Sequence, residues 1–213
     1  EAGERSLALA QDTDQREQLA YTSHDLAYVY LTRDTMPRVA EMAQIANDLW
    51  RELDNRPMLA ESLGLLGLIQ GFGGRFDEAA AVSREGLEIA ESIGNSWGQA
   101  NALHGLSYAT WARGELAQAI EMMQLCLSLR QTAKSDNTSM LAGAWLALTY
   151  AGLGALERGQ QLAHSAREMV AGYNPFFLPY PLGALASIQV LRGDVSGAAE
   201  TLRGVQVTAD AIQ

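Results

Sequence analysis

The sequence predicts an all-α solenoid of antiparallel helix pairs, about eleven helices in one stack. The first observation behind this is a recurring turn. Gly74-Arg75-Phe76, Gly114-Glu115-Leu116, Gly154-Ala155-Leu156 and Gly193-Asp194-Val195 follow one another at 40, 40 and 39 residues. Three residues beyond each comes a small one: Ala79, Ala119, Gly159 and Ala198. The second observation is a large-small pair in the same phase, at Leu26-Ala27, Leu66-Gly67, Leu106-Ser107, Leu146-Ala147 and Leu185-Ala186. Such a period marks modules that bury their apolar faces on their neighbours. The third is composition: 48% hydrophobic residues can build a core along a whole stack, and only five prolines leave room for long helices.

The elements follow in order. Leu7, Leu9 and Ala10 align with Leu87, Ile89 and Ala90 across two periods, so residues 1–12 read as the second helix of a module whose first helix is missing. Because the chain opens on Glu1, the natural protein is expected to continue upstream. Five modules then occupy 15–54, 55–94, 95–134, 135–174 and 175–213, so that 1–213 reads as a single solenoid. Each first helix carries the large-small pair, which lets a neighbouring helix approach closely. The second helices open near Val39, Ala79, Ala119, Gly159 and Ala198 and place packing residues at Ala46, Gly86, Cys126, Ala166 and Val205. Between the two helices glycine accepts the left-handed geometry of a tight exit. The first module has Asp34 there instead, which predicts a looser turn at Asp34-Thr35-Met36.

Stop-and-cap chemistry marks the joins between modules. Asp54-Asn55-Arg56-Pro57 ends one helix and opens the next with a first-turn proline. Gly94-Asn95-Ser96 and Ser135-Asp136-Asn137-Thr138 do the same work. The last join, 171–181, holds Pro175, Pro179 and Pro181 among four aromatics. Proline lacks an N–H donor, so the final first helix is predicted to start late, near Pro181.

Charge excludes several functions. The net charge of −10, a lone lysine at Lys134 and scattered arginines argue against a nucleic-acid or anionic-membrane surface. The single Cys126 allows no internal disulfide, and no targeting segment is visible, so a cytoplasmic, reducing setting is expected. Residues 138–156 carry no charge over the length of a membrane span. They fall in phase with the repeat, and are expected to form a solenoid helix packed on two sides.

Large-small-x-x-Tyr on one helix, then Gly-x-Phe/Leu-x-x-Ala opening the next, resembles the tetratricopeptide repeat (TPR). The resemblance covers nearly the whole chain and implies a right-handed superhelix. Two features depart from it. The usual period is about 34 residues, and the common proline ending the second helix is absent. Arrays of 40 residues are similar to those of large bacterial signal-transduction ATPase regulators of the maltose-regulon activator type. There an ATPase module and an output domain flank helical repeats. HEAT and armadillo arrays share the longer period but lack the glycine-turn-alanine signature.

The resemblance implies that first helices line a concave groove for a protein or peptide. Carried over by position, the groove residues are Tyr21, His24, Tyr28 and Leu31, then Glu61, Leu68 and Phe72, then Asn101, His104, Tyr108 and Trp111. Later modules add Leu141, Leu148, Tyr180 and Ser187. His24-Tyr28 and His104-Tyr108 occupy matched positions, and aromatic rings give contact area at low entropy cost. The competing reading is that these rings fill the inside of the stack and touch one another. A clamp for a chaperone's terminal carboxylate needs groove lysines, and Lys134 falls between modules.

No catalytic or cofactor constellation emerges. His24, His104 and His164 are the only histidines, and none lies in a His-Glu-x-x-His arrangement. One cysteine cannot build a thiolate metal site. Gly71-Phe72-Gly73-Gly74 lacks the lysine of a phosphate loop, and Asn137-Thr138-Ser139 matches a glycosylation acceptor without any sign of secretion. The sequence thus predicts a non-enzymatic binding module, the sensor or scaffold segment of a larger cytoplasmic regulator, with no cofactor. The alternative is a spacer that self-associates as a homo-oligomer through its open ends, and an enzyme is a distant third reading.

Overall fold

The computed structural model describes residues 2–13, 15–31, 36–133, 140–173 and 177–212. Within them the chain forms eleven helices and no strand. They group into two compact units, Glu1–Gly114 and Glu115–Gln213. Asp34-Thr35, Lys134, Asn137-Thr138-Ser139 and the side chain of Leu31 lie outside the described residues.

The first unit holds α1 (Ala2–Asp12), α2 (Arg16–Leu31), α3 (Met36–Glu52), α4 (Arg56–Phe72), α5 (Phe76–Ser92) and α6 (Ser96–Ala112). Each helix packs on the one before it, and α6 also packs on α4. The second unit holds α7 (Leu116–Ala133), α8 (Met140–Gly152), α9 (Leu156–Tyr173), α10 (Pro179–Leu191) and α11 (Val195–Ile212). Here α8 pairs with α9, α10 with α11, and α10 also packs on α8.

The turns follow from backbone chemistry. Gly74, Gly114, Gly154 and Gly193 take positive φ values of 77°, 82°, 86° and 83°. That geometry turns the next N–H back onto the helix end. Arg75 N–H donates to Gln70 O at 2.9 Å, Ala155 N–H to Tyr150 O at 2.9 Å, and Asp194 N–H to Gln189 O at 2.9 Å. The bonds satisfy carbonyls that a helix terminus leaves without partners. Asp54 adopts the same geometry at φ 50°, with Asn55 N–H reaching Trp50 O at 3.1 Å. Caps appear where the sequence places them: Asn55 Oδ1 accepts from Met58 N–H, and Asn95 Oδ1 from Gly98 N–H at 3.0 Å.

One expected boundary moves. α10 begins at Pro179, not near Pro181. The first N–H groups of a helix have no acceptor within it, so a proline at the first and again at the third position removes nothing the helix uses.

Small residues set the packing. Ala27, Gly67, Ser107, Ala147 and Ala186 are all buried, as are Ala46, Gly86, Cys126 and Ala166, whereas Val205 is half-buried. α4 is buried from Leu59 to Gly71 except at Glu61. A side chain at Gly64 would meet the backbone of Asn101 and Ala102 at 2.8 and 2.9 Å, so α6 runs in direct contact with α4. Around this approach sit Leu63, Leu66 and Ile69, whose burial contributes about 1.5–3 kcal/mol each. In the second unit α8 spans only 13 residues, about 20 Å at the rise of an α-helix. Among the described residues no helix is long and apolar enough to cross a membrane.

Candidate functional site

In the first unit the first helices of the pairs are α2, α4 and α6. α2 presents Tyr21, His24 and Tyr28 at helical spacing. Tyr21 is 39% exposed and lies edge-on to Trp50 of α3, ring centroids 4.8 Å apart. His24 is buried and packs edge-on to the half-buried Tyr28 at 5.3 Å. Its Nε2 lies 3.6 Å from Glu61 Oε1 on α4, beyond hydrogen-bond range, and the two charges pair only when the imidazole is protonated.

α4 and α6 build an aromatic cluster at their C-terminal ends. Phe72 meets Tyr108 edge-on at 5.2 Å, and Tyr108 stacks on Trp111 at 6.0 Å with 28° between planes. Phe76, the first residue of α5, adds a third contact to Tyr108 at 6.5 Å. The cluster forms because Gly71 has no side chain: a Cβ there would lie 2.8 Å from the Tyr108 ring. All four rings are half-buried, so each keeps part of its edge or face at the surface. Burial raises the Tyr108 phenol above its ordinary pKa, leaving it a neutral donor and acceptor at physiological pH.

Leu68 on α4 and Asn101 and His104 on α6 are buried. Burial pushes the His104 imidazole down to about 4, so it is neutral at pH 7. Tyr21, Tyr28, Phe72, Tyr108 and Trp111 therefore offer surface directly, whereas His24, Leu68, Asn101 and His104 are buried. In the second unit Leu141 is buried, and the half-buried Leu148 packs on the cluster of Ala147, Ala151 and Leu185. Tyr180 and Ser187 of α10 are exposed, the Ser187 hydroxyl donating to Gly183 O at 2.8 Å.

Some members were not foreseen. Trp50 sits on a second helix, where no groove position was expected. The repeat marks Phe76 only as the third residue of the Gly74-Arg75-Phe76 turn. Tyr30, Glu4 and Arg38 join α1, α2 and α3: the Tyr30 hydroxyl and the Arg38 guanidinium both donate to Glu4 Oε1, and Arg38 lies over the Tyr30 ring at 4.6 Å. Their separations of 26 and 34 residues give no local signal. Among the described residues no group of three His, Cys, Asp or Glu side chains could hold a metal ion.

No family model matches the sequence, and no curated protein matches it. Solved structures do. BtubC (BKLC) of P. vanneervenii is 17% identical, with 100% of this chain and 92% of that chain covered and a TM-score of 0.63. A Rap protein complexed with Competence and Sporulation Factor is 13% identical over 93% of this chain and 62% of its own, TM-score 0.65. A signal transduction ATPase with numerous domains and a tetratricopeptide repeat sensor, from Pyrococcus horikoshii, is 13% identical, TM-score 0.63. That match covers 98% of this chain but 33% of the other. The chain has the fold of TPR-like helical-repeat proteins.

Proposed function

We propose that this chain is a protein- or peptide-binding helical-repeat module without catalytic activity. The observation that carries the reading is the half-buried cluster of Phe72, Tyr108 and Trp111 across α4 and α6. Rings held by one another are pre-organised, so a partner loses little entropy in ordering them. Tyr21 and Tyr28 on α2 extend the same set toward the N-terminus. A peptide lying along these helices meets apolar faces with polar tips between them. Two neighbours in fold support the reading: one is a Rap protein complexed with Competence and Sporulation Factor, the other carries its repeats as a sensor. By that likeness we assign the chain to the sensor or scaffold part of a larger cytoplasmic regulator. The five-module division belongs to the same proposal.

A displayed peptide library tests it. Selection on the purified chain is expected to enrich a sequence class whose binding falls at least tenfold with Tyr108→Ala or Trp111→Ala, while circular dichroism shows both variants folded. Enriched peptides indifferent to both changes, or no enrichment, contradict the groove.

A second reading is self-association. Val195 and Leu202 of α11 are 67% and 52% exposed, and Leu9 of α1 is 64% exposed. Exposed apolar residues of this kind favour contact between copies. Light scattering across concentration decides: a constant monomer mass removes this reading.

A further inference from the structure

The second unit carries a cleft that the groove does not use. It has a volume of about 480 Å³, within the range of small-molecule sites. Its floor is the side of α10 that bears Leu182, Leu185 and Ile188. One wall is α9, with Gln160, His164 and Arg167 at helical spacing on one face. The other is α11, with Glu200 and Thr201. Tyr180 and Ser187, the groove positions on α10, are not among the lining residues.

Four of the polar side chains lining the cleft are already engaged. Arg192 pairs with Glu157 at 3.1 Å. Asp194 Oδ1 caps α11 by accepting from Gly197 N–H at 2.9 Å. Thr201 donates to Gln189 Oε1 at 2.9 Å, which leaves the Gln189 amide N–H groups for another acceptor. Two charges remain. Arg167 makes no ion pair among the described residues, and Glu200 reaches only the exposed Arg203, at 3.9 Å. They stand on opposite walls above an apolar floor. An anion would satisfy Arg167 and oppose Glu200, and a cation would do the reverse. A molecule with both charges satisfies both walls.

We propose that this cleft binds a small zwitterion carrying a carboxylate and an ammonium group on an apolar stem. The carboxylate meets Arg167 in a charge-assisted, fork-like pairing. The ammonium group meets Glu200, and the stem rests on Leu182 and Leu185. Short apolar peptides have this chemistry, with the two charged groups at opposite ends of the stem. The inference is independent of the concave groove.

Calorimetric titration of the whole chain tests it, with leucine, leucyl-leucine, N-acetyl-leucyl-leucine and leucyl-leucinamide as probes. Saturable binding of leucyl-leucine is expected, and leucine, whose two charged groups share one carbon, is expected to bind more weakly. Blocking either end of the dipeptide is expected to weaken binding roughly tenfold, the size of one charged hydrogen-bonding contact. Arg167→Gln is expected to abolish the effect of amidation, and Glu200→Gln the effect of acetylation. Both positions are exposed, so the fold survives the changes. Failure of leucyl-leucine to bind at millimolar concentration, or binding no tighter than that of leucine, overturns the proposal. Blocking effects that persist unchanged in both variants overturn it as well.

Discussion

Ser83 of α5 occupies the hollow left by the missing side chain of Gly67 on α4. Its hydroxyl overlaps the position a Cβ of Gly67 would take, and the same oxygen lies 2.6 Å from the Cβ position of Gly105 on α6. Three helices therefore meet at one buried serine. Among the described residues the hydroxyl has no hydrogen-bond partner, so it serves as a spacer of the right size. Leu66-Gly67 and Leu106-Ser107, the large-small pairs of α4 and α6, flank this junction. The repeat signature is thus the packing of the hairpins written in sequence.

Gly67→Ala is expected to destabilise the chain by about 1–3 kcal/mol, the usual cost of forcing a methyl into a filled core. Ser83→Ala alone is expected to be near neutral, because it removes an unpaired hydroxyl. The double variant should recover more than half of the loss, since the two sites share one space. Urea denaturation of the four proteins measures the cycle. Additive effects would show that the two residues do not compete.

The turns predict opposite signs for two substitutions. Nothing lies within 4 Å of a Cβ at Gly154, so Gly154→Ala is strained only by its φ of 86°, and is expected to cost about 1 kcal/mol. Asp54 holds φ 50° with a side chain, and Asp54→Gly is expected to gain a few tenths to about 1 kcal/mol. Thermal melts should move down for the first and up for the second.

The buried His104 predicts a pH dependence. Its folded-state pKa of about 4 lies below the ordinary value of 6.5, so the unfolded chain binds more protons between these values. Stability from this residue is complete above about pH 6.5 and declines as pH falls toward 4, by at most about 3 kcal/mol. His104→Gln should flatten that part of the profile, read from denaturation midpoints between pH 4 and 7. An unchanged slope would mean that the imidazole is solvated in the folded state.

Tyr108 touches Phe72, Phe76 and Trp111, whereas Trp111 stacks on Tyr108. Tyr108→Ala is therefore expected to lose more stability than Trp111→Ala, by about 1 kcal/mol, since each aromatic pair is worth roughly 0.5–1.5 kcal/mol. Denaturant midpoints give the comparison.

The turns were legible because Gly74, Gly154 and Gly193 each solve a local problem of backbone geometry. Asn55 and Asn95 were legible for the same reason, as a cap needs only its own next three residues. α10 was misplaced by two residues because prolines at 179 and 181 were read as breakers, while a helix's first turn tolerates them. The ring contact of Phe72 and Tyr108 joins positions separated by nearly one module, so the repeat period aligns them. Trp50 against Tyr21, and Glu4 against Tyr30 and Arg38, come from helices in different phases of the repeat. The cleft of Arg167 and Glu200 likewise needs three helices at once, and no spacing in the chain announces it.

The indole N–H resonances test the binding role most directly. Trp111 is half-buried in the aromatic cluster, whereas Trp145 is buried in the helix packing of the second unit. Titration with a library-selected peptide is predicted to shift the Trp111 signal saturably and leave that of Trp145 in place. Saturable binding that leaves Trp111 unmoved would contradict a partner seated on α4 and α6.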